Sequence, residues 1–151
     1  MSQENVEPND HALTRPVSPE FRAFVDQGFE CWNGGEIDLM ADDYADDAEV
    51  DTTTALPDGR CYKGREQFVR YFHEQWDAWD RVRMEPLDLA DVGGGRYVVE
   101  VRMTGTGRSS GIEVDQRMGL LYTLREQDGK VARVQIFPSR DAALEAAGLS
   151  E

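Results

Sequence analysis

Four side chains of this chain could do acid–base chemistry if the fold gathers them: Asp51, Asp115, Arg117 and Gln135. Asp115 and Arg117 lie two apart in the run IEVDQRMGLLYTL (112–124), which reads as a strand. Strand side chains alternate between faces, so these two share a side with Glu113. The next run, KVARVQIFP (130–138), carries Arg133, Gln135 and Phe137 at alternate positions. A carboxylate in an apolar setting is a proton acceptor, and a guanidinium or amide beside it stabilises a developing oxyanion. The same residues also read as ion pairs, Asp115–Arg117 or Glu113–Arg133, because buried charge is costly unless paired. Asp51 offers a second acid near the start of an earlier strand.

These positions need elements to hold them. Residues 1–17 are polar and read as a mobile tail, followed by one domain over 18–151. Ser18-Pro19-Glu20 starts a helix, with Ser18 as cap and Pro19 in the first turn. Phe21, Phe24, Val25, Phe29 and Trp32 recur at helical spacing, and Gly34-Gly35 ends the helix. Gly28, inside that apolar face, reads either as a close-packing position or as room for a ligand. A short second helix carries Ile37, Met40, Ala41 and Tyr44 inward, and a strand is expected around Val50–Thr54. A third helix is expected from about Arg65 to Trp79. Four strands then fill Arg81 to Phe137, with turns at Gly93-Gly94-Gly95, Gly107–Ser110 and Gln127-Asp128-Gly129. A last short helix follows in SRDAALEAAGL (139–149).

Bulk properties remove several classes of function. The chain has 151 residues and a net charge of −14, from 30 acidic and 16 basic residues. That surface repels nucleic acid and anionic membranes, which need clustered cations. No apolar run is long enough to span a bilayer, and the start lacks the marks of a secretory signal. Cys31 and Cys61 are isolated thiols, so a reducing cytoplasm is the expected setting. His73 at a helix edge and His11 in the tail make no metal constellation. Asp42, Asp43, Asp46 and Asp47 lack the spacing of a calcium loop and read as a solvated helix end. No metal and no cofactor is therefore expected.

Four words carry a resemblance: FECWNGGEIDLMADDYADDAEV, YKGREQFVRYF, SGIEVDQRMGLLYTL and DGKVARVQIFPSRDAALEAAGL. In this order, between Glu20 and Leu149, they resemble the SnoaL-like branch of the nuclear transport factor 2-like superfamily. The resemblance implies an α+β, cone-shaped fold in which N-terminal helices pack in a curved, mainly antiparallel sheet around an internal cavity. It also implies a homodimer formed on the outer sheet face. The fold hosts isomerases, polyketide cyclases, epoxide hydrolases and binding proteins, so it does not by itself name an activity.

The catalytic sets of these relatives do not carry over. The ketosteroid-isomerase tyrosine falls at Gly28, its base at Thr52 beside Asp51, and its late acid near Arg117. The epoxide-hydrolase positions fall at Val101, Met103 and Gln135. Gln135 also occupies the neighbourhood of the polyketide-cyclase acid, and an amide is no general base.

The matched positions assign the odd residues of the late strands to the concave side. Tyr97, Val101 and Met103 then form an apolar wall, Asp115, Arg117 and Gln135 a polar one, and Thr52 faces them. Trp32, Trp79 and Phe137 complete a lining suited to flat ligands. The even residues Met118, Leu120, Tyr122, Val134 and Ile136 are left as an outer apolar patch, the expected dimer face. Two functions follow as expectations. One is a cofactor-free isomerase or cyclase acting on an apolar carbonyl compound, with Asp115 or Asp51 taking a proton and Arg117 with Gln135 holding the oxyanion. The other is a non-catalytic ligand-binding or dimerisation module.

Overall fold

The computed structural model describes residues 14–148. Helix α1 (Pro19–Asn33) begins as its sequence dictates: the Phe21 N–H donates to Ser18 Oγ at 3.1 Å, and Pro19 occupies the first turn. It buries Phe21, Val25, Cys31 and Trp32. It stops where Gly35 takes a φ of 75°, a region costly for side chains with a Cβ. Helix α2 (Ile37–Ala41) is a single short turn that buries Ile37, Met40 and Ala41.

Strand β1 (Tyr44–Asp51) starts earlier than the sequence reading places it, and Tyr44 is its first residue, not part of a helix. Tyr44, Ala45, Ala48 and Val50 are buried, while Asp46 and Asp47 project into solvent at a register shift against β6. Asp42 and Asp43 do end helix α2, with Asp42 as its C-cap, while Asp46 and Asp47 belong to a bulged strand instead. Strand β2 (Cys61–Lys63) is a three-residue partner of β1 that the sequence reading omits. Helix α3 (Arg65–Asp77) buries Phe68, Tyr71 and Phe72. Trp79, expected at its end, opens the next strand instead and pairs with Gly107.

The remaining elements are β3 (Trp79–Gly93), β4 (Arg96–Gly107), β5 (Glu113–Leu124), β6 (Val131–Phe137) and helix α4 (Arg140–Ala146), capped by Ser139. The sheet order is β2-β1-β6-β5-β4-β3. Among the described strands only β1 against β6 is parallel. This is the cone-shaped α+β architecture, a curled open sheet closed over helices.

The principal core lies on the concave side, where α1, α2 and α3 meet Val50, Val99, Val101, Leu120 and Val134. A smaller core lies behind the sheet, where Ala143 and Ala147 pack on Val92, Val98, Leu121 and Phe137. Part of the expected tail is held. Arg15 exchanges backbone hydrogen bonds with Asp91 at 2.9 and 2.8 Å, and Val17 packs on the main core. The rest of that tail, and the last residues of the chain, fall outside the described range. Among the described residues no helix is long and apolar enough to cross a membrane.

Candidate functional site

Which face each strand shows to the helices depends on the hairpin turns. In the β4–β5 turn four residues, 108–111, separate Gly107 from Ile112, and the Gly107 N–H donates to Ile112 O at 2.9 Å. Val99 therefore pairs with Leu120 and Val101 with Met118, so odd residues of β4 share a face with even residues of β5. On β6 the even residues follow, since Leu120 pairs with Ile136 and Tyr122 with Val134. The concave face carries Gln116, Met118, Leu120, Tyr122, Val134 and Ile136. The expected odd set of β5 and β6 points the other way. The outer apolar patch expected from those even residues is the inner wall, and it supplies no dimer face.

That wall and the helices enclose a cavity of about 330 Å³. Its helix side is built by Phe29 and Trp32 of α1, Met40 of α2, and Tyr71, Phe72 and Gln75 of α3. Its sheet side is built by Thr52, Met84, Met103, Met118, Leu120 and Tyr122, with Trp79 also contributing. Ala55 and Leu56, in the loop after β1, lie at its edge, and Leu56 is 41% exposed. The volume falls at the lower end of the range of small-molecule sites, about 300–1,000 Å³.

The residues singled out from sequence separate into two groups. Trp32, Thr52, Met103, Trp79 and Phe137 line the cavity. Tyr97 does not; it stacks on Phe21 with ring centroids 3.9 Å apart, and Val101 is fully buried in the core. The four acid–base candidates are not brought together. Asp115 lies on the convex side and receives two hydrogen bonds from Arg102, at 2.9 and 2.7 Å. Arg117 reaches the cavity edge, but it is exposed and its guanidinium lies 3.8 Å from Glu100. Gln135 pairs with Leu121, six residues along β5 from Asp115, roughly 20 Å at strand rise. Asp51 binds Arg133 at 3.0 Å and accepts from the Thr53 hydroxyl at 2.6 Å. None of the alternative ion pairs read from sequence forms; Asp115 chooses Arg102, and Arg133 chooses Asp51 and Glu49.

The electrostatics of the wall follow from burial. Thr52 is fully buried and its hydroxyl is spent on Arg60, donating to the carbonyl at 3.1 Å and accepting the N–H at 3.0 Å. Tyr44 and Tyr122 adjoin each other; burial, then the neighbouring phenol, pushes Tyr44 well up, and burial does the same to Tyr122. Burial also pushes Tyr71 up to about 12. All three are neutral phenols at physiological pH. Among the described lining residues there is no carboxylate, histidine, cysteine or lysine. Nor does any group of three or more His, Cys, Asp or Glu among the described residues gather to hold a metal ion.

One polar atom in the wall stands apart. Trp32 is 5% exposed, and its Nε1 is buried without a hydrogen-bond partner. The neighbouring Trp76 is different: its Nε1 donates to the Trp32 carbonyl at 2.7 Å. Sequence reasoning missed Tyr44, Tyr122, Gln75 and the methionines of β3 and β5. The four-residue loop after Gly107 is the signal that reveals the even residues of β5, because an even loop inverts parity across a hairpin.

Comparison with known proteins agrees with this architecture. The family model for the SnoaL-like domain matches residues 25–134. No curated protein sequence matches the chain. Among solved structures, a putative SnoaL-like polyketide cyclase from a Jannaschia species is similar at a TM-score of 0.68 and 21% identity, over 91% of this chain and 99% of that one. SalBIII, described as an epoxide hydrolase/cyclase-like enzyme in pyran ring formation of the polyether salinomycin, matches at 0.65 and 21%, over 78% and 89%. TerC, co-crystallised with polyporic acid, matches at 0.66 and 18%, over 87% and 99%. At these identities the likeness shows the fold. The family match spans most of the chain and coincides with the elements that build the cavity, and the chain belongs to the SnoaL-like domain family.

Proposed function

We propose that this protein binds an apolar, flat small molecule in the cavity between α1, α3 and the concave sheet. The observation that carries this reading is the wall itself. It is built largely of aromatic and methionine side chains, and the phenols and amides among its polar groups are neutral. Such a wall favours apolar surface and opposes buried charge. Methionines adapt to irregular shapes and aromatic rings stack on flat ones.

A second reading keeps the same ligand and adds turnover, a cofactor-free cyclisation or isomerisation of a carbonyl compound. The SnoaL-like polyketide cyclase and the epoxide hydrolase/cyclase-like SalBIII among the similar structures favour it, as do the neutral buried phenols as proton donors. In that case the cavity acts by holding a reactive conformer, and acid–base work falls to the wall phenols, with Asp115 and Asp51 as bystanders.

The test is titration with N-phenyl-1-naphthylamine, a neutral probe that brightens in apolar surroundings. Saturable binding at one site per chain is expected, lost in Met118→Trp, which fills the cavity, while thermal unfolding stays cooperative. Absence of saturable binding, or full binding in Met118→Trp, overturns the reading.

A further inference from the structure

We infer that the cavity takes its ligand end-on: a flat apolar body enters first, and a neutral hydrogen-bonding group at its other end stays at the mouth between Gln75 of α3 and Gln116 of β5. This rests on the cavity being a binding site, as argued above. It adds the class of ligand, a flat molecule that is polar at one end only.

Two stripes of side chains run along the cavity and change character in the same direction. On α3 the inward stripe is Phe68, Tyr71, Phe72 and Gln75, at helical spacing. Phe68 marks the floor, since it is fully buried and its ring centroid lies 5.3 Å from that of Tyr44. Gln75 comes seven residues later, about 10 Å of helix rise, and is half-buried. On β5 the concave face runs from Tyr122 through Leu120 and Met118 to Gln116. The first two are buried, Met118 is half-buried and Gln116 is exposed. Tyr122 adjoins Tyr44 at the same floor, and Gln116 stands six residues away, roughly 20 Å at strand rise. Pro138, just past the Phe137–Gly119 pair, and Leu56, after the end of β1, line the cavity at this open end. Each stripe thus ends in a carboxamide that both lines the cavity and meets solvent. A ligand group at the mouth reaches these amides without any buried ring having to move.

The two ends suit different parts of a ligand. At the floor the Tyr44 and Tyr122 phenols engage each other, with Met40, Phe72 and Leu120 beside them. A polar group pushed in there loses its water for little return. At the mouth an amide offers both N–H donors and a carbonyl acceptor, which suits a hydroxyl or a carboxamide. The group is neutral because the only cation among the described lining residues is Arg117, which lies 3.8 Å from Glu100, in a chain of net charge −14.

The experiment uses naphthalene-2,3-diol and naphthalene-2,6-diol as competitors of N-phenyl-1-naphthylamine. The isomers share every atom, but the first carries both hydroxyls at one end and the second carries one at each end. The 2,3 isomer is expected to bind about tenfold more tightly, because the 2,6 isomer must bury a hydroxyl at the floor. Equal affinities, or tighter binding of the 2,6 isomer, overturn the end-on reading and leave the binding reading intact. This comparison needs no variant to fold. A second arm tests the amides. In Gln75→Leu combined with Gln116→Leu, the affinity of the 2,3 isomer relative to unsubstituted naphthalene should fall about threefold, the effect of a neutral hydrogen bond partly open to water. An unchanged ratio overturns the assignment to Gln75 and Gln116. If the probe and every competitor fail to bind, the binding reading falls, and the end-on reading with it.

Discussion

Arg102 and Asp115 face each other diagonally across β4 and β5, joined by two hydrogen bonds on the side of the sheet away from the cavity. Their side chains are 45% and 59% exposed. The Arg102 guanidinium holds the Asp115 carboxyl below the usual carboxylate range, the opposite of what a proton acceptor near neutrality needs. Asp115→Asn is therefore expected to leave probe binding and the melting temperature unchanged. A large loss of probe affinity in that variant would put Asp115 back in the site.

Asp51 occupies a tighter setting. Burial raises its pKa, but hydrogen bonds from Thr53 and the Arg133 guanidinium outweigh that and hold it below 3.8. Its side chain is 13% exposed and it ties β1 to β6. A carboxyl with a depressed folded pKa adds stability that is fully present above the unfolded value. That stability is lost as pH falls through the folded one. Asp51→Asn should cost about 1–2 kcal/mol at pH 7, with the gap to the unaltered protein closing below about pH 4. Urea unfolding at pH 7 and pH 3 measures it, and a gap that is equal at both would show that the ion pair is not the source.

Much of the fold is legible because local signals and packing agree. Ser18-Pro19 caps α1, the three glycines 93–95 all take positive φ and turn β3 into β4, and Ser139 starts α4 by accepting from Ala142 N–H. The site is less legible, for a different reason. The grouping of Met118, Leu120 and Tyr122 with Val134 and Ile136 follows from period two alone. Which side that group takes depends on pairing across Gly107–Ile112 and on whether α4 covers the other face. Both faces of residues 119–122 are buried, so alternation alone cannot choose between them. Asp115 and Gln135 follow the same parity and turn outward together, whereas Asp51 stands beside the inward Thr52 and pairs with Gln135. The unpaired Trp32 donor is not legible at all, since it depends on where every nearby acceptor lies.

Two glycines make opposite predictions. Gly28 lies inside α1, and a Cβ built there meets no atom within 4 Å. It leaves a small void of about 30 Å³ bounded by Phe24, Phe29, Tyr44 and Tyr122, so the room is real and close helix packing is not its reason. Gly28→Ala should stabilise the protein by about 0.5–1 kcal/mol through a stiffer unfolded chain, without touching probe affinity. Gly119 lies on β5 under α4, where a Cβ would come within 2.4 Å of the Ser139 carbonyl oxygen. Backbone cannot swing aside as a side chain does, so Gly119→Ala should destabilise by about 1–3 kcal/mol. Denaturant midpoints of the two variants decide both, and a shift of the same sign in each would refute the packing argument.

The last prediction separates a neutral wall from a titrating one. Burial raises Tyr71 to about 12, and Tyr44 and Tyr122 are raised as well, against an ordinary phenol value of 10.0. A group raised in the folded state contributes stability that is fully present below its unfolded pKa. Above about pH 10 the unfolded chain ionises these phenols first, and stability falls as pH climbs toward the folded values. Urea midpoints should hold from pH 7 to 9 and drop steeply between 10 and 11, with a smaller drop in Tyr71→Phe. Binding of N-phenyl-1-naphthylamine should stay flat from pH 5 to 9, because none of the described wall groups changes charge there. A bell-shaped binding profile in that range would require a carboxylate or imidazole at the cavity, and would return the acid–base reading to the site.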